Sequence, residues 1–388
     1  MKQDYDYIVL GLGGLGSGAA YWLSRRAGRN LLGLEQFERG HIRGGSQDHS
    51  RIIRLSYHTP GYVRLAQQAY QAWAVLEVEA QERLVLKTGG LDLSPPNSSI
   101  PISDYANSLQ ACDIPFELLD AVEIMKRWPA FQLTKDIQGL YQSESGLVDA
   151  AKSNAAHQRM AREYGATLCE GVTISAIRPL EGEIEIITGD AAYRCRKLMI
   201  AAGAWSNQAL AYFDFKLPLT ITQEQVTYFA TPHLPDFAPE RFPIWIWMDE
   251  PCFYGFPVYG EAGVKVAQDV GGKEVTAETR TFEPNPDNLT RVQNFMGRYL
   301  PTALGPIIYT KTCLYTMPPD RDFVIDAVPG HDNIFVAIGA GHAFKFASLI
   351  GKILSELALD GQTNSDLQPF KIDRPILTME NPPKSFMV

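Results

Sequence analysis

Apolar and polar positions change period several times along the chain, and each change marks a different kind of element. The run Tyr7-Ile8-Val9-Leu10 is apolar throughout, as a strand covered on both faces would be. It enters Gly11-Leu12-Gly13-Gly14-Leu15-Gly16, after which Leu15, Ala19, Ala20 and Leu23 recur at helical spacing. A second apolar run over 31–34 then ends in Glu35 and Gln36. The pattern predicts a βαβ unit. A helix is predicted over 62–79 after the Pro60-Gly61 break, a region of mixed character from 89–93 onward, and short helices over 104–111 and 122–127. Asp149 stands where it would cap a helix over 150–164 that Gly165 ends. Strands at 167–168 and 173–177 follow, then a hairpin of 183–188 and 193–196 around Gly189-Asp190, leading into the apolar stretch 197–205.

From 217 to 315 the period falls to two, most clearly over 220–231, 253–257, 264–267 and 307–315, which argues a largely antiparallel sheet. One helix, 287–299, interrupts it. The chain closes on apolar strands at 323–325 and 334–338 and a helix over 344–359. The expected fold class is α/β, in its fuller description a two-domain α+β chain. A Rossmann-like domain is assembled from 1–84, 145–212 and 322–375, and a substrate domain with a mixed, mainly antiparallel sheet from 85–144 and 213–321.

The βαβ unit carries the first chemistry. Gly11, Gly13 and Gly16 hold the GxGxxG positions: the first for a tight turn, the second for close approach of backbone to a pyrophosphate, the third for packing helix on strand. The helix start offers open N–H groups to phosphate. Glu35 would accept hydrogen bonds from ribose hydroxyls, and an acid here argues against a 2'-phosphate and hence against NADP.

Composition narrows the partners. The 388 residues suffice for two domains, and 35 Lys plus Arg against 44 Asp plus Glu, a net charge of -9 with no basic run, argues against nucleic acid and anionic membrane. No apolar stretch is long enough to span a bilayer, and the first apolar run already belongs to the fold, so a soluble, cytoplasmic protein is expected. The terminal Ser385-Phe386-Met387-Val388 is not a peroxisomal address. The five cysteines, Cys112, Cys169, Cys195, Cys252 and Cys313, lack paired spacing, which suits a reducing compartment and suggests no zinc site.

Several motifs occur in one order: the unit ending at Glu35, Gly45-Ser46 ahead of Ser50-Arg51-Ile52-Ile53-Arg54, Ala201-Ala202-Gly203-Ala204-Trp205, and Tyr254-Gly255-Phe256-Pro257. Gly263-Val264-Lys265, Cys313-Leu314-Tyr315-Thr316 and Gly341-His342-Ala343-Phe344-Lys345-Phe346 complete the series. This order resembles the monomeric sarcosine oxidase and N-methyltryptophan oxidase family of FAD-dependent amine oxidases, within the D-amino-acid oxidase superfamily, over nearly the whole chain. The resemblance implies FAD held by Gly11, Gly13, Gly14, Gly16, Glu35 and Gln36, with Ser46, Arg51, Val172, Gly203, Trp205, Gly341 and Lys345 around it. It implies a thioether from Cys313 to the flavin 8α-methyl group, Cys252 being the weaker candidate. A thiolate can add to that electrophilic carbon, which gives the attachment a chemical logic of its own.

By the same resemblance Lys265 supplies the positive charge that stabilises superoxide as oxygen takes electrons. Arg54 and Lys345 clamp a substrate carboxylate, Arg by a planar fork and Lys by a point charge. Tyr254 lines the pocket. His342 is open between a catalytic and a structural role. The implied reaction is oxidation of a secondary amino acid, N-methyl or cyclic, to an imine that hydrolyses, with hydrogen peroxide formed from O2, by a monomer. Three departures fall on the substrate side: Asp269 stands where a histidine is usual, Trp245 where the wall strand has a smaller residue, and Gln47-Asp48-His49 is one residue short. An acid at 269 could favour a substrate with a further cationic or hydroxyl group. Two other readings stay open, a glycine-type primary-amine oxidase or a flavin dehydrogenase with another acceptor, and, in another class, a non-catalytic NAD-binding Rossmann protein.

Overall fold

Why the first apolar run is continuous is plain from its surroundings: in the strand Asp4–Leu10, Val9 faces one buried cluster while Ile8 and Leu10 face another. The computed structural model describes residues 3–96, 98–189 and 191–385. Asp190 of the expected hairpin turn and the terminal Phe386-Met387-Val388 lie outside the described residues.

The parallel strands run in the order Thr167–Cys169, Leu31–Leu34, Asp4–Leu10, Ala192–Ile200, His331–Ile338, and Val324–Val328 pairs antiparallel at the end. The expected hairpin arm and the apolar stretch after it are one strand, Ala192–Ile200. Its start pairs with Ile184–Thr188 and its end enters the parallel sheet. On one face lie the helices Gly14–Ala27, Pro60–Ala80, Ala150–Glu163 and Ala347–Asp360. The first and last of these cross closely, because a Cβ on Gly18 would sit 2.5 Å from the Ala347 carbonyl oxygen and one on Gly351 2.2 Å from the Gly18 carbonyl carbon. Asp149 caps its helix as expected, accepting from the Lys152 amide at 2.9 Å.

The closing helix begins later than the pattern predicts. Ala343–Phe346 is a tighter 3₁₀ turn and the α-helix starts at Ala347, after Ala340 and Gly341 turn the chain at φ +51° and +81°. Residues Gly90–Ser94, Gln138–Gln142 and Glu117–Asp120 join Thr220–Phe229, Ile244–Trp247, Phe253–Phe256, Val264–Gln268, Lys273–Glu274 and Ile307–Met317 in a nine-stranded second sheet. It is antiparallel except where Ile244–Trp247 runs parallel to Gly90–Ser94. A small sheet of Ser50–Ile53, Gly146–Asp149 and Val85–Lys87 is absent from the sequence reading, because strands so short carry almost no period.

His157 lies wholly buried among the helices, 5.2 Å from the Trp73 ring and 5.5 Å from the Tyr21 ring. Neither ring nitrogen has a hydrogen-bond partner among the described residues, and burial pushes its pKa down to about 3. An unfolded histidine takes a proton near pH 6.5, so the unfolded state gains protons first and stability falls as pH drops below that value, by about 2 kcal/mol at pH 5. His157→Phe is expected to flatten this part of the acid slope in urea unfolding between pH 7.5 and pH 5. An unchanged slope would show that this imidazole is not the group that resists protonation.

Candidate functional site

Between the two large sheets runs a cavity of about 1440 Å³, beyond the ~300–1,000 Å³ of ordinary small-molecule pockets and therefore roomy enough for a dinucleotide with a substrate. Its outer end is the βαβ unit. Gly11 turns at φ +83°, and a Cβ there would meet the Ala201 carbonyl oxygen at 2.6 Å. A Cβ on Gly16 would lie 1.8 Å from the Gly11 oxygen, so Gly16 seats the helix on the strand and does not itself line the cavity. Gly13 is the N-cap of the helix and makes no side-chain cap of its own, with Ser46 Oγ 3.2 Å from where its Cβ would lie. The Leu12 and Phe37 amides donate to Glu35 at 2.8 and 3.1 Å, which fixes the acid at the cavity wall. The Gly14 amide donates to Ser46 Oγ at 2.8 Å, and Asn154 donates to the Ser46 carbonyl at 2.9 Å, so the helix Ala150–Glu163 holds the loop that closes this end. Gln36, Val172, Gly203, Trp205 and Gly341 are also in the lining.

The inner end is charged, and most of its charged side chains are buried. Arg51 donates to the Gly45, Gln47 and Ser50 carbonyls at 3.0, 2.6 and 2.8 Å and stands 4.0 Å from Asp48. Lys265 is 2% exposed on the strand Val264–Gln268 and reaches Asp48 at 2.7 Å and the Ser50 carbonyl at 2.7 Å. Burial lowers its pKa to about 8 against the pull of Asp48. Farther in, Arg54 pairs with Asp92 at 3.1 Å and lies 4.7 Å from the Tyr57 ring centre. Lys345 is pushed down to about 7, by burial first and then by the neighbouring charge of Arg54. Arg321 pairs with Asp269 at 2.9 Å. His342 Nε2 donates to the Arg321 carbonyl at 2.9 Å, and burial keeps the ring neutral.

Most residues singled out from sequence meet in this one cavity: Glu35, Ser46, Arg51, Arg54, Tyr254, Lys265, Asp269, His342 and Lys345 all line it. Trp245 does not. It faces away from the cavity, stacked on Phe295 at 5.6 Å and packed over Gly255, and its strand neighbour Ile246 takes the wall instead. Asp269 lines the cavity with Arg321 on its Oδ2, so a cationic or hydroxyl group of a substrate would share this carboxylate with Arg321. Cys313 opens on a satellite cavity of about 20 Å³ bounded by Arg51, Tyr254 and Tyr315, which line the main cavity as well. Burial raises its thiol to about 11, and Arg51 pulls the other way. Cys252 lines the main cavity, and all five cysteines are free thiols. The sequence reading missed Asp92, Tyr57 and Arg321. A lone acid in Gly90-Leu91-Asp92-Leu93 was a signal that could have been used; Arg321, in a left-handed turn at φ +59°, carried none.

A glycine cradle at the end of a parallel sheet, opening into a long cavity with a charged interior, defines a dinucleotide-binding oxidoreductase. The profile of the family described as DAO, FAD dependent oxidoreductase, matches residues 6–357, and the chain belongs to that family. This removes the NAD-binding, non-catalytic reading. The monomeric sarcosine oxidase of Streptomyces avermitilis is 36% identical over 371 residues, covering 94% of this chain and 96% of that protein. That of Arthrobacter sp. (strain TE1826) is 30% identical over 97% and 98%. The N-methyl-L-tryptophan oxidase of Yersinia pestis (strain Pestoides F) is 28% identical over 96% and 100%. Among solved structures, NikD, an unusual amino acid oxidase essential for nikkomycin biosynthesis, superposes with a TM-score of 0.84 at 25% identity, covering 100% of this chain and 99% of that one. The L-proline dehydrogenase of P. horikoshii shares the fold, with a TM-score of 0.84 at 20% identity and coverage of 96% and 97%.

Arg321 is 2% exposed and Asp269 21%, so the pair is buried on the arginine side and loss of the acid would leave a buried cation. Removing one partner of such a pair costs about 3 kcal/mol. Asp269→Ala is expected to lower the unfolding free energy by about that amount in urea titrations. A change within about 0.5 kcal/mol would mean that the pair contributes nothing to the fold.

Proposed function

We propose that this protein is an oxidase of a secondary amino acid, N-methyl or cyclic, that forms an imine and passes the electrons to O2. The observation that carries the proposal is one cavity with a glycine cradle at one end and Arg54, Lys345 and Lys265 at the other. The full-length likeness to sarcosine and N-methyl-L-tryptophan oxidases supports the substrate class.

The residues present fit FAD. Gly11, Gly13 and Gly14 line the cavity where a pyrophosphate would lie, Glu35 would meet ribose hydroxyls, and Ser46, Arg51, Gly203, Trp205 and Gly341 would border the rest. Bound FAD would supply the two-electron acceptor for the amine carbon and the donor for oxygen. Cys313 would form a thioether with it, beside an Arg51 that favours the thiolate. Arg54 would fork the substrate carboxylate, held at its own angle by Asp92 and the Tyr57 ring, while Lys345 adds a second donor. Tyr254 would bound the amine side. His342, neutral and committed to a backbone carbonyl, would shape the pocket without moving a proton. The burial of these groups excludes water, so orientation and charge do the work and no strong base is required.

We divide the chain into a FAD domain of 1–84, 145–212 and 322–375 and a substrate domain of 85–144 and 213–321. We infer a monomer in the cytoplasm; the free thiols support a reducing compartment. No helix of the described residues is long and apolar enough to cross a membrane.

Two outcomes are expected. Intact-mass spectrometry of denatured holoprotein should show the chain heavier by one FAD, and Cys313→Ser should return the mass of the bare chain with a yellow supernatant after acid precipitation. Retained mass in the serine variant would move the attachment elsewhere, to Cys252 first. Lys345, with its pKa near 7, is charged below that value and neutral above it. Affinity for a simple carboxylate such as propanoate, read from flavin absorbance, should therefore weaken severalfold from pH 6 to pH 8. Lys345→Met should bind about tenfold more weakly at pH 6 and lose that dependence, a charge-assisted hydrogen bond contributing about 1.5 kcal/mol or more. Identical pH curves would remove Lys345 from the carboxylate site.

A further inference from the structure

Asp48 is the residue that the reading above leaves without a task, although charge converges on it more than on any other side chain of the site. Its carboxylate is 3% exposed and lies 2.7 Å from Lys265 Nζ, 3.6 Å from Lys311 Nζ and 4.0 Å from Arg51. Tyr228 donates its hydroxyl at 3.1 Å to each carboxylate oxygen. The backbone at Asp48 is left-handed, at φ +86°. A non-glycine residue there costs about 1–3 kcal/mol, and such strain persists where the surroundings impose it.

We propose that Asp48 is the buried counter-ion that keeps Lys265 a cation where oxygen accepts electrons, so that Asp48 is a positioning residue for the oxidative half of the reaction. The inference rests on the oxidase reading of Lys265 given above. An ammonium on a four-carbon stem, 2% exposed and 4.5 Å from the Phe256 ring centre, would shed its proton without an anion beside it. The other groups facing it do not replace that anion. Arg51 repels it, Lys311 is a further cation on the same carboxylate, and Tyr228 and Ser50 are neutral. Cys313 is uncharged, as a thiol below about 11 and equally as a thioether, and Glu261 is engaged by His49 at 3.0 Å. One carboxylate therefore answers three cations, of which Lys265 is buried, Arg51 half-buried and Lys311 open to solvent, and the cluster still carries a net positive charge. Dioxygen takes two electrons from the reduced cofactor, with two protons, in becoming hydrogen peroxide. The first electron makes an anion, superoxide, and a fixed cation at that point lowers the barrier.

The test uses Asp48→Asn, which keeps the shape and tolerates the left-handed backbone, and Asp48→Gly, which relieves that backbone should the first variant fold poorly. Holoenzyme labelled with ¹⁵N-lysine gives the Lys265 titration directly by NMR, its signal assigned by loss in Lys265→Met. Anaerobic reduction by substrate followed by mixing with oxygen gives the two half-reactions separately. In the native protein Lys265 should titrate near pH 8. In both Asp48 variants its midpoint should fall by a unit or more, and flavin reoxidation at pH 7.5 should slow at least tenfold while reduction by substrate changes little. A Lys265 midpoint that stays or rises overturns the counter-ion, and so does reoxidation at the native rate in both variants. Unaltered reoxidation in Lys265→Met overturns the oxygen role itself, whatever Asp48 does to the titration.

Discussion

A charge removed from water inside a protein is stable only beside an opposite charge, and this constraint organises the inner half of the molecule. Three cations of the site each have an acid within reach: Lys265 has Asp48, Arg54 has Asp92, and Arg321 has Asp269. Lys345 shares the field of the last two acids, with burial and Arg54 lowering its pKa to about 7. The pairs sit on different strands and loops, so each one ties two parts of the fold to the cavity wall. Orientation of the cations and cohesion of the two sheets are thus produced by the same contacts.

The outer half obeys a different rule, that of close approach. Gly11 and Gly16 bring strand, turn and helix to distances that a Cβ would forbid, and Gly18 with Gly351 does the same for the crossing of the first and last long helices. These approaches bring the backbone of the glycine turn to the cavity wall, where the Leu12 and Gly14 amides donate to Glu35 and Ser46. An anionic cofactor at this end would meet mostly backbone, and the other end of the cavity is lined by charged side chains. The division explains why one end of the cavity is built of glycine and the other of buried ion pairs.

Much of the outer half was legible in the chain itself, because its signals are local. The apolar run before Gly11, the spacing of Leu15, Ala19, Ala20 and Leu23, and the acid at Glu35 all lie within one βαβ unit. Asp149 and Gly165 likewise mark the ends of a helix with nothing beyond neighbouring residues. Strands of three or four residues escaped, as at Val85–Lys87 and Gly146–Asp149, since a period cannot be read over so few positions. Trp245 was misread for a related reason. Alternation establishes that Trp245 and Ile246 face opposite ways, but only the packing of the helix Pro286–Tyr299 decides that Phe295 takes the tryptophan side.

The order of the motifs by itself determined the class of fold, the nucleotide cradle and the basic residues Arg51, Arg54, Lys265 and Lys345, because residue type and short spacing carry that information. The partners of those bases were decided only by the tertiary structure. Asp48 and Lys265 are far apart in the chain, as are Asp269 and Arg321 on the scale of any helix or hairpin, and no periodicity links them. Charge pairing acts through space, so which acid answers which base is known only once both sheets have closed on the cavity.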